Sequence, residues 1–274
     1  MRDILAYALR HDAWPNGLRF AAELAAMLEA RLCGIFVNEP AAAIAAYDSA
    51  MLVAELLALA REEVEAARAA AAPFRAWASG HAVRGSEWIV AEGRVGDVLA
   101  YAGNWHDLLV LERDPDRPGG SVGVVGHAVL GTDLPCVVVP AAWAPPLRLE
   151  HVALAWNGSA ESIRAIHGAL PILRLAGRVT LLSGRRKEPL SALSWHPPFD
   201  VQRHLEAHGI GAGERPIEAD DAEAGRALLD AAASVRADLL VMGAYGRTRF
   251  SEYVFGGATR QVLEHATLPV LMQH

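Results

Sequence analysis

Short, uninterrupted apolar runs punctuate the chain, and between them lie longer stretches in which apolar residues recur every three to four positions. In the first half the runs are Asp3-Ile-Leu-Ala-Tyr-Ala8, Leu32 to Val37, Asp107-Leu-Leu-Val-Leu111 and Leu134-Pro-Cys-Val-Val-Val139. In the second half they are His151-Val-Ala-Leu-Ala-Trp156, Arg178 to Leu182, Asp238-Leu-Leu-Val-Met242 and Leu268-Pro-Val-Leu-Met272. Apolar runs that do not alternate with polar residues indicate strands buried on both faces of a parallel sheet. The periodic stretches between them predict amphipathic helices, among them Val95 to Asn104, Ala222 to Val235 and Arg260 to His265.

The two halves repeat one pattern with a period of about 130 residues. Each reads βαβαβαβαβ, which predicts an α/β protein of two tandem doubly wound, Rossmann-like domains with five-stranded, mostly parallel sheets. Pro140-Ala-Ala-Trp-Ala-Pro-Pro146 suits neither a helix nor a central strand, so the domains are expected at residues 1–146 and 147–274. The copies differ in their second helix. The first has a long, Ala-rich stretch from Ala41 to Ala78, expected to form a helical flap or hairpin; the second has the turn-rich Glu188 to Pro198 and a shorter helix ending near His208.

A formal charge of -7 removes any electrostatic reason to expect nucleic acid or anionic lipid as a partner. The imbalance is local: residues 1–146 hold 11 Arg against 18 Asp and Glu, while residues 147–274 hold 14 basic and 14 acidic side chains. Cys33 and Cys136, each inside an apolar run, read as small buried thiols rather than as a disulfide framework or zinc site. No stretch reaches the ~18 apolar residues of a membrane span, so the expected location is the cytoplasm, without membrane contact.

In an open parallel sheet a ligand sits outside the carboxyl ends of the strands, where the strand order reverses. In the second half that directs attention to Trp156-Asn157-Gly158-Ser159 after the first strand and to the long loop after the fourth. The loop carries Gly243 and Gly246, and Gly256-Gly257-Ala258-Thr259 leads into the last helix. Glycines let backbone amides approach a bulky anion, and the unpaired amides of a helix N-terminus suit phosphate. Arg247, Thr248 and Thr259 add side-chain donors. The matching loop of the first half, Leu111-Glu-Arg-Asp-Pro-Asp-Arg-Pro-Gly-Gly120, lacks the G-x-x-G spacing and sets Glu112, Asp114 and Asp116 where phosphate would approach.

A strand, then G-x-x-G, nine residues and a Gly at a helix start resembles the nucleotide-binding signature of the universal stress protein family, and the repeat resembles its tandem-domain members. The resemblance implies that Gly243, Gly246 and Gly256 wrap the ribose and phosphates of ATP with its magnesium, and that Thr259 supplies a hydroxyl. Gly257 stands where the family usually has Ser or Thr, and Asn157 where it usually has Asp. The resemblance further implies that the final strands of the two copies pair as an intramolecular pseudo-dimer, with homodimerisation of the chain also open. The first domain reads as a degenerate copy. Two functions remain open on the residues: an ATP-binding stress-response protein, regulatory and at most a slow hydrolase, or a nucleotide-free interaction module.

Two other motifs fail on context. Gly119-Gly-Ser121-Val-Gly123 fits a hydrolase elbow, but Ser121 lies far beyond the strand that an elbow must follow. His204 and His208 share a helix face at i,i+4, yet the sequence offers them no third metal ligand.

Overall fold

The computed structural model describes residues 1–39, 50–184, 200–220, 222–244 and 257–274, which fall into two compact units, Met1–Thr132 and Asp133–His274. The first unit runs β1 (Asp3–Ala8), α1 (Asn16–Met27), β2 (Arg31–Asn38), α2 (Ala50–Ala69), α3 (Ala71–Ser79), β3 (Gly85–Glu92), α4 (Val95–Gly103), β4 (Leu108–Arg113) and α5 (Val122–Gly131). Its strands lie in the order β3-β2-β1-β4, all parallel. The order reverses between β1 and β4. Ile4, Leu5, Leu108 and Leu109 are wholly buried there, as expected of strands covered on both faces.

The predicted Ala-rich helix is two helices where it can be described, α2 and α3, and residues 41–49 lie outside the described residues. Pro73 explains the break. Its ring nitrogen cannot donate to the carbonyl of Ala69, the last residue of α2. Beyond the break, Phe74 of α3 packs against Trp14, Trp77 and Trp88 of β3, and Trp14 also meets Trp77 and Trp88, in edge-on or tilted pairs with ring centroids 4.9–5.8 Å apart. Gly34 in β2 accommodates this cluster: a Cβ there would come within 2.7 Å of Phe74 and 2.8 Å of Trp88.

The second unit runs β5 (Cys136–Pro140), β6 (His151–Trp156), α6 (Ala160–Leu173), β7 (Arg178–Ser183), α7 (Val201–Ala207), β8 (Ala212–Pro216), α8 (Ala224–Ser234), β9 (Leu239–Gly243), α9 (Gly257–His265) and β10 (Val270–Gln273). Its strand order is β5-β10-β9-β6-β7-β8, parallel throughout except for β5, which runs antiparallel to β10 with Val138 opposite Val270. The described strands therefore divide four and six rather than five and five. Because β5 pairs with β10, the compact units part between Thr132 and Asp133, ahead of the Pro140–Pro146 stretch.

One local device recurs in both units. Asp107 stands just before β4, and its carboxylate accepts the amides of Arg2 and Asp3; Asp238 stands just before β9, and its carboxylate accepts the amide of His151 at 2.9 Å. Each aspartate thus clamps the start of the neighbouring first strand. Among the described residues no helix is long and apolar enough to cross a membrane.

Candidate functional site

In the second unit the sheet reverses between β6 and β9, and three of its parts meet there. Trp156 closes β6, and its carbonyl accepts the amide of Gly184 at 2.8 Å, which joins the ends of β6 and β7. Gly158 takes a φ of 78°, the left-handed region that glycine tolerates. Around it the Asn157 Oδ1 accepts the Ser159 amide at 3.1 Å, and the Ser159 Oγ caps α6 by accepting the Ser162 amide at 3.2 Å. Asn157 and Ser159 therefore help to shape the turn at the end of β6.

Gly243 ends β9 against the first turn of α6. A Cβ on it would lie 2.6 Å from the Glu161 carbonyl carbon and from the Ser162 nitrogen. Only glycine lets strand and helix meet so closely. Ala244 follows, fully buried, its amide donating to the Gln273 carbonyl at 2.9 Å.

The remaining expected residues divide into two groups. Gly257, Ala258 and Thr259 form the first turn of α9, Gly257 exposed and Thr259 buried. That turn packs on α8, where Gly225 makes room: a Cβ on it would sit 2.6 Å from the Ala258 carbonyl oxygen. Gly246, Arg247, Thr248 and Gly256 lie outside the described residues.

Sequence reasoning missed a cleft of about 410 Å³ at the carboxyl ends of β7 and β8, lined by Ser183, Gly184 and residues 217–220. Its wall is held by the Ser183 Oγ donating to Glu214 at 2.6 Å and by the Ile217 amide donating to the Ser183 carbonyl at 2.8 Å. Gly184 also donates to the Trp156 carbonyl, so the cleft lies beside the end of β6. The one signal for it in the sequence is Gly184, a glycine directly after a strand.

The first unit has a larger crevice, about 530 Å³, at the ends of β1, β2 and β4. Within it Arg10 pairs with Asp12 at 2.6 Å, and the His11 Nε2 lies 3.0 Å from the Glu63 Oε1. Three helix N-termini of this unit also carry an acceptor of the chain's own. Glu112 takes the Gly17 amide of α1 at 2.6 Å, Glu39 the Val95 amide of α4 at 2.9 Å, and the Ser121 Oγ the Val124 amide of α5 at 3.4 Å. At each of these three N-termini one first-turn amide is thus already taken by the chain's own side chain. Ser121 is a helix cap and no nucleophile elbow.

Glu112 and Gly243 occupy the same place in the two repeats, each two residues beyond the shared Leu-Leu-Val core, after Leu111 and Met242. In the first unit the glycine has moved to the helix: a Cβ on Gly17 would meet Glu112 Cβ at 2.8 Å. Burial raises the Glu112 pKa, and the Gly17 hydrogen bond opposes this. A raised carboxyl pKa means that the folded state keeps a proton the unfolded chain has already lost. This group's contribution is therefore full below the ordinary glutamate range and falls as pH rises through the folded value. Glu112→Ala should cost about 2 kcal/mol by orphaning the Gly17 amide. Urea denaturation of wild type and Glu112→Gln at pH 7 and pH 5 should show wild type gaining relative stability at the lower pH. Equal changes in the two proteins would contradict this reading.

Cys33 is buried and its pKa is pushed up to about 12, first by burial and then by Glu87 and Asp3, so its thiol stays protonated and inert at neutral pH.

Residues 149–274 match the sequence profile of the universal stress protein family. A universal stress protein from Archaeoglobus fulgidus DSM 4304 has a similar fold over 99% of this chain and 95% of its own, at 14% identity and a TM-score of 0.67. A functionally unknown protein from Pseudomonas aeruginosa PAO1 is similar over 100% of this chain and 92% of its own, at 18% identity and a TM-score of 0.55. At such identities the likeness speaks to the fold. No curated protein sequence matches the chain.

Proposed function

From residues 149–274 being a domain of the universal stress protein family, we propose that the second unit binds ATP, carried with magnesium, at the crevice between β6 and β9. The observation that carries the proposal is Gly243. It leaves the end of β9 without a side chain beside the first turn of α6, whereas the first unit sets a buried glutamate at the same place in the repeat. The nucleoside end has the cleft lined by Ser183, Gly184 and Ile217, beside the end of β6. The phosphates have the exposed Gly257 end of the nine-residue α9, where first-turn amides lack helical partners. Gly246, Gly256, Arg247 and Thr248 in the adjoining sequence supply the close backbone approach and the donors.

The nucleotide acts as an occupancy signal in a cytoplasmic stress-response protein, with hydrolysis slow at most. Fast phosphoryl transfer would require a base placed to orient the attacking group. Two buried free thiols fit a reducing compartment.

A second reading, a nucleotide-free interaction module, is favoured by α2, which exposes Met51, Leu57 and Leu59. Small molecules released from the purified, denatured protein distinguish the two readings, followed by ATP titration with magnesium. About one adenine nucleotide per chain is the expected result. Two per chain would overturn the assignment of a single site. An empty protein that also ignores millimolar ATP would leave the interaction module.

A further inference from the structure

Helices α6 and α7 of the second unit set three imidazoles in a row. The ring of His167 on α6 lies 4.8 Å, centroid to centroid, from His204 on α7, and His204 lies 4.8 Å from His208 at the α7 C-cap. His204 and His208 meet because they are one helical turn apart; His167 joins them only through packing. At the outer end the Arg174 Nη2 donates to the His208 Nδ1 at 3.1 Å, which leaves the proton of neutral His208 on Nε2. The His204 Nε2 is shut away from solvent and has no hydrogen-bond partner.

Among the described residues no three His, Cys, Asp or Glu side chains are placed to hold a metal ion, and the Arg174 cation beside His208 would oppose one. Proton chemistry remains. The titratable and charged groups that face His204 and its neighbours are His167 and Arg174 from α6 and His208 from α7 itself, and each is a cation when ionised. Among the described residues none of the three rings is paired with a carboxylate.

We propose that this row is an acid-sensitive latch between α6 and α7: neutral imidazoles pack ring to ring at neutral pH, and protonation sets like charges side by side and loosens α7. Burial, and then the nearness of His167 and His208, lowers the His204 pKa below the ordinary imidazole value. For a base with a lowered folded pKa the unfolded chain binds the proton first. Stability is therefore full above about pH 6.5, the ordinary imidazole value, and falls as pH drops below it toward the folded value.

The latch has a route to the cleft. The Gln202 Nε2 of α7 donates to the Glu214 Oε2 of β8 at 3.3 Å, and the Glu214 Oε1 accepts the Ser183 Oγ at 2.6 Å on the cleft wall. A loosened α7 gives up the first of these bonds and leaves the second less firmly placed. Val201 and Leu205 remain buried anchors, so the motion is a local opening rather than unfolding.

The test is a histidine NMR titration of the full chain from pH 8 to pH 5, with hydrogen-exchange protection followed over residues 201–207. The His204 imidazole should titrate below the ordinary value along a curve coupled to its neighbours. Protection in α7 should fall several-fold across the same window while α9 keeps its protection. In His204→Gln that acid step should disappear. Should His204→Gln fail to fold, His208→Gln and the wild-type titration decide. Three independent titrations near the ordinary value, or an acid step that persists in the variants, would overturn the latch.

Discussion

Gly243→Glu should abolish ATP binding by the second unit and destabilise it by about 3 kcal/mol, the upper end of the usual cost of overpacking. The new Cβ would lie 2.6 Å from two backbone atoms of α6, and backbone cannot swing aside as the tip of a side chain can. The first turn of α6 has to move away from β9, and it carries the turn of Asn157 and Ser159 with it. The carboxylate also adds charge where phosphate is expected. The first unit shows the same residue tolerated only because its helix offers Gly17 in return. Gly243→Ala separates the two effects, since it brings the clash without the charge. Urea denaturation and ATP titration of both variants provide the check. A folded Gly243→Glu protein with unchanged ATP affinity would defeat the site assignment.

Gly34→Val should destabilise the first unit by about 3 kcal/mol or more, a large share of the 5–15 kcal/mol that holds a typical domain. The Cβ alone would press on Phe74 at 2.7 and 2.9 Å and on Trp88 at 2.8 Å, and Phe74 is fully buried. These rings cannot yield one at a time. Phe74 is wedged among Trp14, Trp77 and Trp88, and the Trp88 Nε1 donates to the Ala67 carbonyl of α2 at 2.8 Å. Displacing Trp88 therefore breaks a bond that holds α2 as well. The measurement is thermal unfolding with tryptophan fluorescence, where a midpoint several degrees lower and an altered emission are expected. An unchanged midpoint would mean that the cluster is loosely packed. Gly34→Ala should show the same direction with a smaller shift.

Much of this architecture was legible because strand and helix periods are local properties. The runs Asp3 to Ala8 and His151 to Trp156 coincide with β1 and β6, and the helix expected over Val95 to Asn104 is α4 with its cap. The repeat of Asp107-Leu-Leu-Val and Asp238-Leu-Leu-Val was visible. That both aspartates clamp a first strand was not, because the contact spans 105 residues in one unit and 87 in the other. The Ala-rich stretch expected as a helical flap or hairpin is helical where it is described, but its break at Ala70, which depends on one missing N–H at Pro73, could not be placed because alanine favours a helix on either side.

For the site, the sequence located Gly243 correctly at a strand end but could not say what it presses against. Asn157 and Ser159 stand out in the sequence by their place after the first strand, and the structure adds that the Asn157 Oδ1 and the Ser159 Oγ each accept a nearby amide of the turn and the α6 cap. By itself the sequence determined the α/β class, the duplicated pattern, the acidic bias of the first half and the glycine-rich loop of the second. Each follows from periodicity, composition or backbone freedom within a short window. Only the tertiary structure decided that β5 lies with β10, that Gly17 answers Glu112 while Gly243 answers α6, and that His167 completes the row begun by His204 and His208. Those facts join residues far apart in the chain, and close packing, which admits one side chain at a contact and refuses another, selects among partners that local sequence leaves equivalent.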